Sequence, residues 1–517
     1  MTETSLPQMQ TTAMKWAGFA ALCAGMFMAV LDIQIVITSL NVIEKALSIG
    51  ADRMSWVQTS YLIAEVIAIP LTGVLMRVFS LRWLVAGAVG MFTLASVGCA
   101  LSNGFDMLVS FRVLQGLAGG VLIPVVFSAI FLLFKPGTEQ TIATTMGGML
   151  AVLAPALGPI SGGLLTENLS WHWLFLVNVI PGVLTMAAMV ACLPRDTMQL
   201  KQLRNLDFVS LGFIALSLGS LEIGLKQAPD LGWTSLTVVL LFCGSAACMG
   251  LAIRRPRPVV DFGLLKDRNL AFGCAISFIL GMGLYGSVYL LPAFLSFVRH
   301  RGPIDIGLTL LVTGLVQLVT APIAVWLDRH YGARLLTMLG FGLFATGLAM
   351  SGFETRNSDF GELLWPQVAR GAAVGLCILP ATRFALGLLP LGRVSDASGL
   401  YNLCRNLGGA IGIALIDTVL FTRGAEHAGE LTDLMTKDPA AAAVALGLRI
   451  DELPDPTDPL GLMGVMDTVQ ETGLTLAVNE AWLMLAGLTA LALLLVWLLG
   501  PIRVPEGHVT ERQSGKF

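Results

Sequence analysis

Apolar runs of about twenty residues, separated by short polar breaks, recur along almost the whole chain. At about 1.5 Å of rise per residue, a helix of that length crosses the hydrocarbon core of a bilayer. Lipid offers no partners to the backbone, so each run is expected to be a helix that satisfies its own polar groups. Read against the breaks, the runs number about fourteen: 17–41, 55–77, 82–103, 107–134, 139–167, 171–193, 207–227, 234–254, 270–297, 305–328, 333–353, 360–390, 396–421 and 476–500. The composition is 55% hydrophobic and 13% charged, against about 25% charged in a soluble domain. A chain so poor in polar residues could not cover itself in water. Its net charge of −3 argues against a basic nucleic-acid binder. The eight cysteines sit inside apolar runs without a CxxC pair, and the five histidines form no HxxxH pair. Gly515-Lys516 has no phosphate-binding loop before it, so no cofactor, metal or nucleotide site is expected. The first run starts near Trp16, is too long for a signal core and leads into further spans, so no cleavable signal is expected.

Loop charge orients the spans. With the amino terminus in the cytoplasm, loops on that side carry about twice as many Lys and Arg as the opposite loops. Both termini are therefore expected inside, with 501–517 as a cytoplasmic tail. One outer segment, 422–475, is polar and acidic (Glu426, Glu430, Asp433, Asp438, Asp451, Glu452). Its Ala-rich stretch 440–446 and the turn string Leu453-Pro454-Asp455-Pro456 suggest a helical hairpin outside the membrane, either a tolerated insertion or a docking surface.

Two motifs recur eight spans apart. The fourth span holds Gln115-Gly116-Leu117-Ala118-Gly119-Gly120 and then Pro124; the twelfth holds Arg370-Gly371-Ala372-Ala373-Val374-Gly375 and then Pro380. The fifth has Gly158-Pro159-Ile160-Ser161-Gly162, and the thirteenth Gly408-Gly409-Ala410-Ile411-Gly412. Small-xxx-small pairs alone indicate helix packing. Their paired recurrence indicates two six-span halves, 1–193 and 270–500, with two extra spans and linkers at 194–269. Two repeated bundles around a midplane site is the plan of many secondary transporters.

An ionisable side chain at mid-bilayer costs about 2.5–3.5 kcal/mol on insertion scales, so it needs a partner or a purpose. Counted from the span ends, Asp32, Glu65 and Arg370 come to a similar depth, and Arg112 lies nearer the outside. An acid whose surroundings alternate between an apolar state and one beside an arginine can load and release a proton. Asp32 and Arg112 are candidates for that coupling, with Glu65 as a second site or a contact for cations; a fixed structural ion pair would use the same residues. Arg370 suits packing or gating, and Arg405, beside Asn402 and Asn406, a cavity or packing role.

Five stretches carry a family resemblance: Leu31-Asp32 with Ile35-Val36 and Leu40; Arg112-Val113-Leu114-Gln115-Gly116; Ala154-Pro155-Ala156-Leu157-Gly158-Pro159 with Gly162-Gly163; Trp171-His172-Trp173 with Phe175 and Asn178; and Asn479-Glu480-Ala481-Trp482. Together they resemble the major facilitator superfamily, specifically its fourteen-span drug:proton antiporter branch typified by EmrB and QacA, and EmrB most of all. The resemblance implies an all-α integral membrane fold of two six-helix bundles plus two inserted helices. It implies proton coupling through Asp32, Arg112 and Glu65, and a gating motif at Ala154, Pro155, Gly158, Pro159, Gly162 and Gly163. The expected substrate cavity takes Gln34, Gln115, Arg370, Asn402, Arg405 and Asn406. Between spans 2 and 3 the family reads G-x-L-A-D-R-x-G-R-K, but here Arg77 stands at the acidic position. A partial copy follows at Asp328-Arg329 with Gly332, so Arg77, Asp328 and Arg329 are the expected inner gate. Gln34 and Ile37 replace the usual Thr and Asn, His172 replaces an Arg, and Pro181 is displaced by one position; these departures bear on substrate identity.

The expected function is proton-driven export of hydrophobic or amphipathic drug-like compounds across the inner membrane by alternating access. The alternative is a dedicated proton-coupled exporter of one organic acid or secondary metabolite, with Arg370, Arg405 or Arg112 holding its carboxylate. An enzyme would need a catalytic constellation, and no clustered His, Cys/His pair or nucleotide loop is present in the sequence. In a double-membrane bacterium the resemblance implies an EmrA-like periplasmic adaptor and an outer-membrane channel, with 422–475 as the docking hairpin.

Overall fold

The structure is a computed structural model that describes residues 11–47, 51–195, 198, 199, 201, 207–256, 260–387, 389–454 and 459–498. The tail 501–517 lies outside the described residues. The described chain is helical almost throughout. In order come α1 (Thr12–Thr38), α2 (Leu40–Leu47), α3 (Ala51–Ala68), α4 (Thr72–Ala100), α5 (Phe105–Leu133), α6 (Thr138–Asn168), α7 (Trp173–Leu176) and α8 (Val179–Cys192). Then follow α9 (Phe208–Leu231), α10 (Leu236–Ile253), α11 (Arg268–Phe297), α12 (Pro303–Tyr331), α13 (Ala333–Met350), α14 (Phe360–Leu386), α15 (Leu391–Lys437), α16 (Pro439–Leu446) and α17 (Pro459–Leu498).

Among the described residues, twelve helical stretches are long and apolar enough to cross a bilayer, and α6, bent by 41° after Pro155, is a thirteenth. The stretch Trp56–Ala100 holds two passes, because Ser80 leaves the helix with φ 61° and ψ 163°. The expected count of about fourteen follows, although spans 2 and 3 join at a single broken residue rather than across a loop. Capping side chains set several entries: Asp207 accepts from Val209 and Ser210, Ser235 from Val238, and Asp267 from Asn269 and Leu270. Each satisfies amide groups that the first turn of a helix leaves open.

The end of the bundle where α1 begins is termed the N-terminal face, and the opposite end the far face. One apolar core joins α1, α4 and α5 through Phe19, Val85, Phe92, Phe127 and Ile130; a second joins α11, α13, α14 and α17 through Ile276, Phe341, Phe344, Val374 and Trp482. The glycine repeat is what lets helices within each half meet. A Cβ at Gly116 or Gly120 of α5 would stand 2.2–2.3 Å from the α3 carbonyls of Tyr61 and Glu65, and one at Gly371 of α14 would stand 2.5 Å from the Thr313 carbonyl of α12. Likewise α6 lays Gly158 on Gln34 of α1, as α15 lays Gly408 on the Phe278 carbonyl of α11. The fourth span thus packs on the second as the twelfth packs on the tenth, and the fifth on the first as the thirteenth on the ninth. Small residues at these crossings allow backbone contact that any side chain would block.

The expected run 396–421 is the middle of a 47-residue helix, α15, about 70 Å long. It outruns the hydrocarbon core and leaves it at the far face. There α15, α16 and the start of α17 enclose a small core of Leu431, Met435, Ala442, Leu446 and Val469. Of the turn string expected at 453–456, residues 455 and 456 lie outside the described residues. Helices α9 and α10 pack on each other, and their Ser217 and Ser245 hydroxyls meet at 3.2 Å.

Candidate functional site

Asp32 enters the bundle on α1 two residues before the Gln34–Gly158 crossing, fully buried. Arg112, seven residues into α5, comes to it from the far face, also fully buried. Arg112 Nη1 donates to Asp32 Oδ2 at 2.5 Å and to Gln115 Oε1 at 3.0 Å. Its Nη2 donates to Gln58 Oε1 at 3.2 Å, and its Nε to the Val57 carbonyl at 3.1 Å. The other carboxylate oxygen, Oδ1, accepts from Asn178 Nδ2 at 2.7 Å and from Gln115 Nε2 at 3.5 Å. Ser96 Oγ accepts from Gln115 at 2.7 Å and from Asn178 at 3.4 Å. The Tyr61 ring lies 4.4 Å beneath the guanidinium, and its hydroxyl donates to the Ala29 carbonyl.

Five segments of the amino-terminal half therefore converge on one desolvated ion pair: α1, α3, α4, α5 and the α7–α8 turn. Such a pair stands only when hydrogen bonds satisfy the remaining lone pairs and N–H groups. Here every oxygen of Asp32 has a donor and every nitrogen of Arg112 an acceptor. The cluster is closed to solvent in this conformation. Gln115, expected in the substrate cavity, is instead a member of this cluster and fully buried. Glu65 lies one turn along α3 from Tyr61, and the charges that act on it are Glu222 of α9 and Arg112.

The remaining expected residues fall at separate places. Pro155 sits at the bend of α6, with Ala154, Gly158, Pro159 and Gly162 buried around it. Gly163 meets Pro303 and Ile304 of α12, so this motif lies on the seam between the two halves of the chain. On α15, Arg405 Nη2 donates to Asn402, and its guanidinium reaches across to the Phe127 ring of α5 at 5.0 Å. Asn406 is half-buried on the same helix, as is Gln34 on α1. Arg370 is buried on α14 with its guanidinium 4.5 Å from the Trp482 ring.

Two of the three expected gate residues have partners outside the trio. Arg77 forms its ion pair with Asp396 in the second turn of α15, a partner that sequence reasoning missed. Asp328 pairs with Arg383 of α14 inside the carboxy-terminal half. The side chain of Arg329 lies outside the described residues. Around Arg77–Asp396 the halves touch at the N-terminal face: Ser398 Oγ donates to the Pro124 carbonyl at 2.8 Å, and Gly399 meets Ile69 and Pro70. At the far face α9 and its turn bridge the halves, Lys226 Nζ donating to Thr59 of α3 at 2.5 Å and Trp233 Nε1 to Thr418 of α15 at 2.9 Å. Asn178 was visible as part of a motif. Ser96, Gln58 and Asp396 carried no sequence signal, because nothing local marks a serine or glutamine whose partner is 19 or more residues away.

Residues 22–413 match the family described as Major Facilitator Superfamily. The colistin resistance protein EmrB of Acinetobacter baumannii is 38% identical over 81% of this chain and 83% of its own length. The multidrug export protein EmrB of Escherichia coli is 31% identical over 93% of this chain and 94% of its own. Among solved structures, a human organic anion transporter superposes with a TM-score of 0.59 at 11% identity, covering 93% of this chain and 99% of the other. At that identity the likeness concerns the fold.

Proposed function

Because the chain belongs to the Major Facilitator Superfamily, we propose that it is a multidrug efflux transporter that exports hydrophobic or amphipathic compounds by alternating access, in exchange for protons. The protein is multi-pass in the membrane. We assign it to the inner membrane of its cell with the N-terminal face in the cytoplasm, and give it no enzymatic activity. Residues 1–193 and 270–500 act as the two moving bundles, and 194–269 as the inserted pair.

The observation that carries the reading is the buried Asp32–Arg112 pair set in a bundle whose halves touch at the N-terminal face. With that face in the cytoplasm, these contacts close the inner end of the bundle. Protons arrive from outside as the amino-terminal half loosens; a proton on Asp32 discharges the carboxylate and frees Arg112 to follow Gln58 and the Val57 carbonyl. Loss of the charge-assisted bonds removes an interaction particular to this state, and a ligand shifts an equilibrium only through such differential interactions. A largely apolar interior with few polar groups selects weakly among lipophilic substrates. An EmrA-like adaptor and an outer-membrane channel are proposed partners, with the α15–α17 hairpin as their contact.

The test is proton-gradient-driven accumulation of ethidium in inverted vesicles, wild type beside Asp32→Asn. Accumulation that collapses with a protonophore and is lost in the variant supports the mechanism. Gradient-dependent transport that survives in the variant removes Asp32 from it.

A further inference from the structure

The carboxy-terminal half holds a second pair of buried charges that the mechanism above does not use. Glu354 follows α13 at the far face, beyond the end of that span at Phe353. Its backbone is clamped to α17: its amide donates to Asn479 Oδ1 at 3.1 Å, and its carbonyl accepts from Asn479 Nδ2 at 2.7 Å. The side chain is 7% exposed, its carboxyl oxygens make no ion pair with Arg370, and its only donors nearby are the neutral Trp482 indole N–H and Ser351 hydroxyl. From α14, Arg370 and Glu362 face it; from α17, Trp482; and from the turn after α13, Ser351. Arg370 Nη1 is buried without a partner. Arg356, two residues on, is engaged with Glu471 at 3.7 Å.

An ionised carboxylate in such a place costs several kcal/mol, so the group stays neutral instead. Burial pushes Glu354 up to about 8, and Arg370 only partly opposes this. As a fixed structural element this arrangement is poor: the buried acid has two neutral donors beside it, and the cation that faces it forms no ion pair with it. It makes sense as one of two states. The Arg370 stem is wedged against Gly347 of α13, where a Cβ would stand 2.9 Å from Cγ. Its tip borders a cavity of about 30 Å3 lined also by Ser287, Thr313 and Phe344, room for about two waters. The stem is held while the tip has somewhere to go, and the ring of Trp482 stands beside its path.

We propose that Glu354 is a second proton-binding site, and that Arg370 is the cation that displaces its proton when the carboxy-terminal half rearranges. In the state seen here the acid is protonated, at the far-face end of its span. In the other state the O–H bond breaks, the proton passes to water in the Ser287–Thr313 cavity, and the carboxylate takes Arg370 as its partner. No electrons change hands. The two halves then run opposite phases: here Asp32–Arg112 is closed while Glu354–Arg370 is open. This rests on the proton-driven reading for its purpose, though not for its chemistry.

The experiment is infrared difference spectroscopy of the full-length protein in lipid vesicles, following the carbonyl band of protonated carboxylic acids from pH 6 to about pH 9. Wild type should show a band that bleaches as pH rises. Glu354→Gln should lose one acid's intensity, and Glu354→Asp, a folded acid control, should keep a band at a moved position. Arg370→Met should hold the band to higher pH. An unchanged spectrum in Glu354→Gln overturns the proposal, and so does a band indifferent to Arg370→Met. Ethidium transport by Asp32→Asn is measured in parallel: its survival strikes the Asp32 mechanism alone, whereas the infrared band reports Glu354 whatever drives transport.

Discussion

The inter-half ion pair at the N-terminal face allows a charge-exchange experiment of known size. Arg77 and Asp396 meet where Gly73 lets α4 approach α15 closely; a Cβ at Gly73 would fall on the Asp396 carboxylate. The arginine side chain is 41% exposed and the aspartate 16%, so solvent screens the pair. A contact of this kind contributes about 1 kcal/mol, the upper end for exposed ion pairs, or about a fivefold change in the ratio of closed to open states. Asp396→Asn removes that share. Asp396→Arg sets two cations together, at a cost of about 4 kcal/mol for charges 4 Å apart near a protein surface, enough to invert the ratio. The double reversal, Arg77→Asp with Asp396→Arg, should restore most of the closed population. Spin-label distances between Lys135 and Arg393 positions, both exposed at this face, read the populations directly in lipid nanodiscs. A coupling energy within about 0.3 kcal/mol of zero in the double-mutant cycle, or a swap that fails to recover the short distance, would refute the gate.

Three further outcomes are expected. Gly158→Leu should lower thermal stability by about 1–3 kcal/mol, because even a Cβ there stands 2.2 Å from Gln34 Cβ; a variant as stable as wild type would show that α1 and α6 do not cross here. Asp359, outside the spans, is held below the usual carboxylate range by hydrogen bonds from Arg299 and Arg301. A depressed folded value means the clamp contributes above the unfolded value of about 4 and is lost as pH falls through the folded one; amide protection factors at 299–301, corrected for the intrinsic exchange rate at each pH, should therefore fall on acidification in wild type and lose that dependence in Asp359→Asn. Deleting the far-face hairpin, 425–470, and joining α15 to α17 should spare ethidium transport in vesicles but abolish export from cells; loss of vesicle transport by a well-folded deletion counts against a docking role.

Much of the architecture follows from the chain read in order. Hydrophobic run length dictates helices, because a bilayer offers the backbone no other way to satisfy itself, and that argument needs no knowledge of neighbours. The glycine motifs foretold which helices would touch closely, since a missing side chain has the same consequence wherever the partner lies. Asp32 and Arg112 stood out for the same kind of reason: a charge in an apolar run is conspicuous by itself. Partnership is another matter. Asn178, Ser96 and Gln58 surround the pair, Asp396 rather than Asp328 meets Arg77, and Glu354 faces Arg370 without touching it. Each of these depends on helix rotation and depth, and a turn of one helix moves a side chain by several ångströms while leaving its sequence spacing untouched. Hydropathy and small-residue spacing act along the chain and can be read there; which charges meet, and which stay apart, is decided only where the helices pack.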